Sequence, residues 1–448
     1  MDDILTDLSK KLGSSKKQAH CHAKYGTLST DEERVKYTLS LLNAYGPAPW
    51  IPEPHEKSES TSNTLRTDGN CAFLTPRPPL LDETILCYTK SIVFAPTNSR
   101  EMALGYANRS AALYHAGLYD DCLKDINRAL ELPYPDNLKA KLYCRQARCF
   151  MVLVGIDSPE FNDALNNAAT YVHHIPEQSP NRKAIEELIR DRYAVPLPPI
   201  KYKKWTFTLP KIIDENKEIP GVSSALKLVY NQEYGRHIVA TRDIKPGELL
   251  AVMKPYAAVL VKEKAYTHCD YCFEQTWSSV PCPGCCEVIY CDDNCRLNAW
   301  KNYHEIECQV VRHLILLGMS NLGLLSLHLV VKAVGEAGSI DKLREKINKI
   351  DENNNDPRTL GFINGIFNDC DYTSTYTLVR NTDKRSVPDL FGRSLNAAYI
   401  AYFLATRSKF FGDIKNGDWD MMLKDKDILF IGGLIMRHQQ IIPSNAHS

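Results

Sequence analysis

The feature that most constrains the fold of this chain is a cluster of cysteines in its second half. Eight of the 15 cysteines lie within residues 269–308 of the 448-residue sequence. Seven of them and one histidine form four pairs with metal-ligand spacing: Cys269-x2-Cys272, Cys282-x2-Cys285, Cys291-x3-Cys295 and His304-x3-Cys308. Two thiolates on a tight turn, or a His and a Cys four apart on one helix face, supply half of a tetrahedral zinc site. Four such pairs predict two closed zinc sites, which are structural and have no catalytic role.

Three alternatives compete with zinc: disulfides, free thiols in a hydrophobic core and a coincidental cluster. The N-terminus, Met1-Asp2-Asp3, lacks the basic and apolar regions of a secretory signal, which argues against disulfides. Eight ligands in correct pairs within 40 residues argue against coincidence. Cys286 is left over, and we expect it to be a packed or spare thiol. Because so short a segment has little apolar core, metal binding should be coupled to folding.

The composition excludes other classes of function. The 54 basic and 54 acidic residues give a net charge of zero, which argues against a whole-molecule nucleic-acid binder. A sequence-specific DNA-binding zinc protein is also disfavoured, because the C2H2 pattern is missing. Residues 314–331 carry no formal charge, but polar residues interrupt this run, so we predict no membrane span. We expect two buried helices that meet near Ser320 and Asn321, with Asn321 a candidate N-cap.

A repeating helical pattern extends over residues 64–190. Tyr106–Tyr114 leads through a Gly-Leu-Tyr turn into a second helix, Cys122–Leu130, with small residues where the two would cross. The pattern resembles the tetratricopeptide repeat, a helix–turn–helix of about 34 residues. Residues 66–95 and 139–151 would belong to a first and a third repeat, although Pro76, Pro78 and Pro79 interrupt the first where its helix should continue. A generic array of helical hairpins is the alternative.

Two linkers and several strands are predicted around this array. Residues 1–60 indicate a partly helical leader that ends in a linker, with a Pro-rich segment at 46–54 and a polar tract at 57–60. Val195–Pro199 is a stiff linker and the clearest domain boundary. Beyond it, strands are predicted at 225–230, 237–240, 249–253 and 257–261. Helical patterns return after residue 309, and the last predicted helix is 394–411.

The four ligand pairs, the Tyr290-Cys291 dipeptide and Ala299-Trp300-Lys301 closely resemble the MYND zinc finger. In that family the first and third pairs hold one ion, and the second and fourth pairs hold the other. The resemblance implies one zinc ion on Cys269, Cys272, Cys291 and Cys295. It implies a second on Cys282, Cys285, His304 and Cys308. A MYND finger alone is a protein-interaction module, usually for short proline-containing peptides.

Tyr234-Gly235-Arg236-His237 and the strand after it resemble the opening of a SET domain. In that family a Gly-x-Gly turn lets the backbone approach S-adenosylmethionine closely. His237 replaces the second glycine here, so Gly235 remains as the close-approach residue. The resemblance implies cofactor binding by these four residues and also by Tyr376 and Asn445. An ordinary hairpin is the alternative for this motif taken alone.

The order of the modules resembles the SET-and-MYND family of protein-lysine methyltransferases, and within it the member with N-terminal repeats. The implied fold class is α+β multidomain: an α-helical tetratricopeptide-like array, then a split SET β-domain interrupted by a two-zinc MYND finger and a helical insert. The implied domains are the leader at 1–60, the repeats at 61–194, a Pro-rich linker at 195–222, the first part of the SET domain at 223–262, the finger at 263–312, and the helical insert with the start of an incomplete SET core at 313–448.

The resemblance implies an S-adenosylmethionine-dependent protein-lysine N-methyltransferase of cytoplasm and nucleus. Its partners would be a lysine-bearing protein substrate and MYND-binding peptides, without a membrane or a specific nucleic-acid sequence. The catalytic core of the family contains an Asn-His-Ser-Cys segment, and no Asn-His dipeptide occurs in this sequence. We therefore expect no catalytic residue in these 448 residues and no methyl transfer by them alone, because the reactants could not be aligned. The alternative is a non-enzymatic adaptor whose repeats and finger recruit partners such as a chaperone tail or a corepressor.

Five residues of the repeats resemble a carboxylate clamp. Some tetratricopeptide domains bind the C-terminal carboxylates of cytosolic chaperones with basic and amide residues. Arg66, Asn70, Asn108, Lys141 and Arg145 match that spacing, with arginine in place of the first lysine. Spacings of four place each pair on one helix face, and arginine suits a carboxylate. The alternative is that these are ordinary solvated helix residues.

Overall fold

A computed structural model describes the chain at residues 6–8, 10–11, 13, 15–46, 54, 56–75, 80–191, 208–352 and 356–446. Within these ranges the chain is mostly helical, with four short strands. The predicted α+β multidomain class is confirmed only in part: the chain is multidomain and contains both helices and strands, but it is mostly helical. Several predicted features lie outside the described residues: the prolines at 47–52, Pro76, Pro78 and Pro79, the linker Val195–Pro199, Asn353–Asn355 and His447.

The chain divides into two compact units, each built from separate stretches of sequence. The terminal unit comprises residues 1–54, 206–259 and 301–448. The hairpin unit, which takes its name from its helical hairpins, comprises residues 55–205 and 260–300.

The hairpin unit contains a succession of helices, each of which packs against the next one along the chain. They are Glu59–Leu74, Leu81–Phe94, Arg100–His115, Tyr119–Glu131, Asp136–Leu153, Pro159–Tyr171 and Pro180–Arg190, with a 3-10 turn at Val172–His174. Ser58, Ser99 and Ser158 begin three of them, and each hydroxyl accepts a hydrogen bond from the backbone N–H three residues later. Such caps satisfy N–H groups that a helix start leaves unpaired.

The second stretch of the hairpin unit carries two short strands and a helix. Strand Val280–Pro281 pairs antiparallel with Ile289–Tyr290. A 3-10 turn, Lys262–Lys264, precedes the strands, and helix Asp293–Ala299 follows them. The Asp292 carboxylate caps this helix by accepting from the Cys295 N–H at 3.0 Å.

The terminal unit combines a β-hairpin with most of the remaining helices. Strand Leu226–Asn231 pairs antiparallel with Gly235–Ala240, and Leu228 lies opposite Ile238. The helices are Ser15–Gly26, Asp31–Tyr45, Glu305–Leu316, Asn321–Ala337, Ile340–Glu352, Tyr372–Tyr376, Val387–Arg407, Trp419–Lys424 and Lys426–Asn445, with a 3-10 turn at Thr382–Lys384. A π-helical turn, Trp300–His304, precedes Glu305–Leu316.

Helix Asp31–Tyr45, from the predicted leader, belongs to the core of the terminal unit. It packs against Val387–Arg407 and Lys426–Asn445. Its Thr30 N-cap and Glu33 form a capping box, each side chain accepting from the backbone N–H of the other. This local signal fixes where the helix begins.

Asp31 joins three stretches of the terminal unit through hydrogen bonds and ion pairs. Its carboxylate is 7% exposed. It accepts from Arg34 at 3.2 Å, from Arg380 at 3.1 Å and from the side-chain amide of Gln440 at 2.9 Å. A buried carboxylate is tolerated only with such partners, because its desolvation is costly.

Three local predictions need correction. The segments 249–253 and 257–261 are not strands, since 249–261 makes only one isolated bridge, Ala251 with Val222, within the described residues. The tract at 57–60 does not continue as linker, because Ser58 caps a helix that begins at Glu59. This helix ends at Leu74, before the segment that carries the three prolines, and those prolines lie outside the described residues. The helix predicted at 394–411 extends instead from Val387 to Arg407. Pro388 is its second residue, a position where proline is tolerated because the first turn needs no N–H donor.

The predicted break near residue 320 is confirmed. Helix Glu305–Leu316 ends before it and helix Asn321–Ala337 begins after it, with Ser320 rather than Asn321 at the N-cap position. In the described part of the chain, no single helix has the length and apolar composition for crossing a membrane. Asn321–Ala337 and Ile340–Glu352 reach these criteria only as a pair, and they are bent by 95°.

Two helices of the terminal unit approach closely at a pair of glycines. A Cβ atom at Gly432 would lie 2.8 Å from Val35 Cγ1, and one at Gly433 would lie 3.2 Å from the backbone N of Glu32. Valine is stiff about χ1, so Val35 cannot easily rotate away. The glycines therefore permit this helix contact.

We expect Gly432→Ala to lower the free energy of unfolding by about 1–3 kcal/mol through overpacking. The measurement is urea denaturation of the full chain. Gly335→Ala is the matched control, because that exposed helical position has no atom nearer than 3.9 Å to the new Cβ. It should stabilise by up to about 1 kcal/mol, the ordinary helix preference for alanine. Equal effects of the two changes would contradict the close helix contact.

Candidate metal centre and cofactor surface

The first group of candidate zinc ligands is made of four thiols. The sulfur atoms of Cys269, Cys272, Cys291 and Cys295 all lie within 4.8 Å of one another. The turn that carries the first two is closed by a hydrogen bond from the Phe273 N–H to the Cys269 carbonyl, 2.9 Å long. The other two follow strand Ile289–Tyr290 and lie on its continuation into the capped helix.

These four thiols cannot all ionise without a cation. A hydrogen bond from the Cys291 side chain lowers the pKa of Cys269 to about 5. The same hydrogen bond holds the pKa of Cys291 far above its usual range. Burial, and then the charges of Cys269 and Cys272, raise the pKa of Cys295 to about 12. One thiolate is therefore favoured and further thiolates are opposed, and a divalent cation removes that opposition. This donor set fits zinc.

The second group combines three thiols with an imidazole. Ligand atoms of Cys282, Cys285, His304 and Cys308 all lie within 4.8 Å of one another, and all four residues are buried. The Gly284 N–H donates to Cys282 Sγ at 3.3 Å, as is usual where a turn presents thiolates to a metal. His304 and Cys308 lie four residues apart at the start of a helix, so they share one face. This set also fits zinc, with no exposed member.

The leftover thiol, Cys286, has a different surrounding. It is 1% exposed and belongs to neither ligand group. It packs with Val93 and Ile289, and its carbonyl accepts from the Tyr266 hydroxyl at 2.9 Å. Cys286 therefore contacts the helices of the hairpin unit.

The candidate cofactor turn joins the two strands of the β-hairpin. Gly235 has φ of +66°, a conformation in which a side chain is strained. Among the described residues other than its two chain neighbours, no atom lies within 4 Å of where its Cβ would be. Tyr234 is exposed, and its N–H donates to Asn231 Oδ1 at 2.7 Å. His237 Nδ1 lies 3.0 Å from the Gly235 carbonyl oxygen. The turn is thus held by local hydrogen bonds and has open space above its glycine.

Arg236 connects this hairpin to two distant loops. Its half-buried guanidinium donates to the Leu360 carbonyl at 2.7 Å and to the Thr377 carbonyl at 3.0 Å. Burial lowers the pKa of Arg236, although arginine stays charged. The second contact directs the hairpin toward residues 376–379, a segment that the sequence analysis did not single out beyond Tyr376.

Tyr376 and Asn445 reach the same segment. Tyr376 is 5% exposed, its hydroxyl donates to Asp351 Oδ2 at 2.9 Å, and the Arg437 guanidinium carbon lies 3.7 Å from its ring centroid. Asn445 Nδ2 donates to the Val379 carbonyl at 3.1 Å and to the Ile441 carbonyl at 2.8 Å. Arg236, Tyr376 and Asn445 are therefore brought together around residues 376–379. No pattern in the sequence predicted Arg437 as a partner of this segment.

The residues of the candidate carboxylate clamp lie on three helices that meet. Asn70 Oδ1 accepts from Asn108 Nδ2 at 2.9 Å and from the Tyr88 hydroxyl at 2.8 Å. Arg145 donates to the Ala107 carbonyl at 3.0 Å and to Ser110 Oγ at 2.7 Å. Asn70, Asn108 and Arg145 are thus connected through helix Arg100–His115.

The remaining two clamp candidates differ in their contacts. Arg66 donates to Asn63 Oδ1 at 3.1 Å, within its own helix. Lys141 is exposed, and desolvation followed by the charge of Arg145 lowers its pKa. An anionic ligand beside Lys141 would offset the nearby positive charge that lowers its pKa.

Comparison with known proteins gives one family and several relatives. The MYND finger family matches residues 269–308. The chain is 32% identical over 305 residues to the protein-lysine N-methyltransferase SMYD4 of Homo sapiens, an alignment that covers 61% of this chain and 38% of that protein. The SMYD4 of Danio rerio is 29% identical over 294 residues, 62% of this chain and 33% of that protein. The histone-lysine N-methyltransferase ASHR1 of Arabidopsis thaliana is 35% identical over 80 residues, 18% of this chain and 16% of that protein. The matched part of the chain spans less than two fifths of the length of these relatives.

The adjacent thiols Cys285 and Cys286 allow a matched test of the ligand groups. Both are 1% exposed, but only Cys285 lies in a ligand group. We expect purified Cys285→Ser protein to lose about one of two zinc equivalents, since a closed site needs four ligands. Cys286→Ser should keep both. The measurement is zinc content by mass spectrometry, and equal losses would make Cys286 a ligand.

Proposed function

We propose that this chain belongs to the SET-and-MYND family of protein-lysine methyltransferases, and that its protein transfers methyl groups from S-adenosylmethionine to lysine side chains of other proteins. Its similarity to SMYD4 proteins and its match to the MYND finger support this proposal. The observation that carries this proposal is the convergence of Arg236, Tyr376 and Asn445 on residues 376–379, beside the open turn at Gly235. A cofactor site needs such a backbone-lined surface, because the methyl donor S-adenosylmethionine must be held in line with the lysine amine that accepts the methyl group.

Each of these residues has a distinct part in the proposed site. Gly235 leaves room for close approach, and no heavier residue could do so without filling that space. Arg236 and Arg437 hold residues 376 and 377 by their carbonyl groups, so they position the surface. When bound, S-adenosylmethionine would supply the methyl group. The lysine amine must be neutral, so that its nitrogen lone pair can accept the methyl group.

Asn445 has one ligand-binding atom left. Both hydrogens of its amide are donated to carbonyls of the chain, at Val379 and Ile441. The remaining polar atom of the side chain is Oδ1, which is an acceptor. It suits an amine hydrogen of the cofactor. Tyr376 presents its ring to Arg437 and its hydroxyl to Asp351. It would therefore support the surface through its backbone and packing.

We also propose that the finger binds two structural zinc ions in the interleaved arrangement. One would be held by Cys269, Cys272, Cys291 and Cys295, and the other by Cys282, Cys285, His304 and Cys308. Each group supplies four ligands, which closes a tetrahedral site and leaves no position for a reacting water. The metal would then stabilise structure and take no part in methyl transfer.

The rest of the proposed organisation follows from the family. We propose tetratricopeptide repeats at 61–194, the opening of a split SET domain at 223–262, the MYND finger at 263–312, and a helical insert leading toward the SET core at 313–448. Partners would be lysine-bearing proteins and peptides that bind the finger. Reduced thiols are required for both metal groups, which suits the cytoplasm and nucleus.

Two glycine substitutions test the cofactor surface. Gly235→Trp should weaken S-adenosylmethionine binding to the full chain at least tenfold, because the indole would fill the open space above the turn. Gly247→Trp is the control: Gly247 also has positive φ, +82°, and no atom within 4 Å of its Cβ position, but it lies in the turn after the hairpin. Titration calorimetry measures both. Equal weakening would mean that strain alone is responsible.

Asn445→Ala should also weaken the cofactor at least tenfold, since it removes the acceptor and frees two carbonyls. Unchanged affinity would remove Asn445 from the site. If neither the native chain nor the Gly247→Trp control binds S-adenosylmethionine at millimolar concentration, these residues do not form a cofactor site in this chain.

A second function, peptide binding by the hairpin unit, is favoured by the hydrogen bond between Asn70 and Asn108 and by the hydrogen bond of Arg145 to Ala107, the neighbour of Asn108. We propose that these residues, with Arg66 and Lys141, bind the C-terminal carboxylates of an acidic chaperone tail. This function needs no cofactor, so it also describes the adaptor role. A bidentate arginine and a nearby lysine supply the charge that a terminal carboxylate requires.

A charge-matched pair of variants tests the clamp. Lys141→Ala with Arg145→Ala should weaken binding of an acidic chaperone-tail peptide at least tenfold, measured by fluorescence anisotropy with the full chain. The control is Lys183→Ala with Arg190→Ala, which removes the same charges from exposed positions of helix Pro180–Arg190 in the same unit. Equal weakening by the two pairs would show that net charge, and no clamp, attracts the peptide.

A further inference from the structure

The side chain of Arg109 is fully buried in the hairpin unit and uses all five of its N–H donors. Nε donates to Asp125 Oδ2 at 2.7 Å, and Nη2 donates to Asp125 Oδ1 at 2.9 Å and to the Ser279 carbonyl at 2.7 Å. Nη1 donates to Thr89 Oγ1 at 3.0 Å and to Ser279 Oγ at 3.2 Å. Two of the five acceptors therefore come from Ser279, which lies 170 residues further along the chain.

Ser278 makes equally specific contacts with the same helices. Its hydroxyl donates to Asp121 Oδ1 at 2.7 Å. Its carbonyl accepts from Arg128, which also contacts the Asp125 carboxylate at 3.3 Å. Both hydroxyls and both carbonyls of Ser278 and Ser279 are thus bound by helices Arg100–His115 and Tyr119–Glu131.

An apolar contact lies beside these hydrogen bonds. Val93, at the end of helix Leu81–Phe94, packs with Cys286 and Ile289, and Tyr266 adjoins them. Lys90 Nζ lies 5.5 Å from the Tyr266 ring centroid. The thiol of Cys286 is therefore packed against helix Leu81–Phe94 and strand Ile289–Tyr290.

The two segments that contact the helices, Ser278-Ser279 and the strand that begins at Ile289, lead directly into metal ligands. Ser279 precedes strand Val280–Pro281, and Cys282 follows that strand. Ile289 begins the partner strand, and Cys291 follows it. Cys282 and Cys291 belong to different ligand groups. Both strands are therefore held at one end by a candidate zinc site and at the other by the helices.

We propose that zinc occupancy of the finger controls the order of helices Arg100–His115 and Tyr119–Glu131. Metal loss would release Ser278 and Ser279, which would leave two donors of a buried guanidinium without acceptors. A buried charge with missing partners is strongly destabilising, so the helices around Arg109 would open locally. Asn108 lies on one of these helices, so zinc would also regulate the surface proposed for peptide binding. The proposal does not depend on methyl transfer, cofactor binding or peptide binding.

Hydrogen–deuterium exchange of the full chain tests this coupling. Zinc is removed with a high-affinity chelator, and its loss is verified by mass spectrometry. We expect amide exchange in Arg100–His115 and Tyr119–Glu131 to become at least tenfold faster. Helix Pro180–Arg190 makes none of the contacts described above, so its exchange serves as an internal reference and should change less than twofold. Unchanged exchange in the two helices after verified zinc loss would overturn the proposal, as would an equal increase in every helix.

A zinc-loaded variant separates docking from metal binding. Ser278→Ala with Ser279→Ala removes two hydroxyl contacts and no metal ligand, so zinc content should stay unchanged. We expect exchange in the two helices to become at least threefold faster with zinc present. Ser179→Ala is the control, because the Ser179 side chain makes no capping hydrogen bond to helix Pro180–Arg190. If the double variant exchanges like the control, the serine contacts do not order these helices.

Discussion

The packing of the hairpin unit depends on the guanidinium group of Arg109, which is fully buried. Arg109 and Asp125 both have 0% exposed side chains, and their mutual attraction is offset by the cost of removing two charges from water. Burial by itself would lower the pKa of Arg109, but the adjacent Asp125 carboxylate raises it, so the guanidinium stays charged. Such a pair is tolerable only when every donor is satisfied. Ser279 supplies the missing acceptors, which is why the finger segment and the helices form one unit.

The terminal unit follows the same rule with different groups. Asp31 is buried near the N-terminus, and its partners Arg380 and Gln440 lie 349 and 409 residues away. Two glycines on the last helix let the backbone of Asp31–Tyr45 come close enough for these contacts. In both units a buried charge, which cannot remain unpaired, selects distant partners. Each unit is consequently discontinuous in sequence.

The candidate metal sites and the proposed cofactor surface have different roles. The two ligand groups are closed sets of four donors, and chemistry at a closed metal site is excluded because no ligand position is open. The proposed cofactor surface lies in the terminal unit, where Arg236, Tyr376 and Asn445 meet at residues 376–379. In the proposed scheme, the finger is a structural and regulatory element, and the terminal unit holds the donor of the methyl group.

The sequence by itself determined the features that depend on short spacing. The eight ligands could be grouped in pairs because two ligands three or four residues apart on a turn or a helix can reach the same ion. The strands predicted at 225–230 and 237–240 correspond to the observed strands Leu226–Asn231 and Gly235–Ala240. The helix break at Ser320 was visible for the same local reason. Only the tertiary structure decided that 249–261 forms no strand, because within the described residues this segment makes a single isolated bridge, Ala251 with Val222. It also decided that Cys286 packs on Val93, that Arg437 covers Tyr376, and that Ser279 completes Arg109. These contacts join residues that are 61 to 193 positions apart, and no local pattern encodes which buried group will meet which partner.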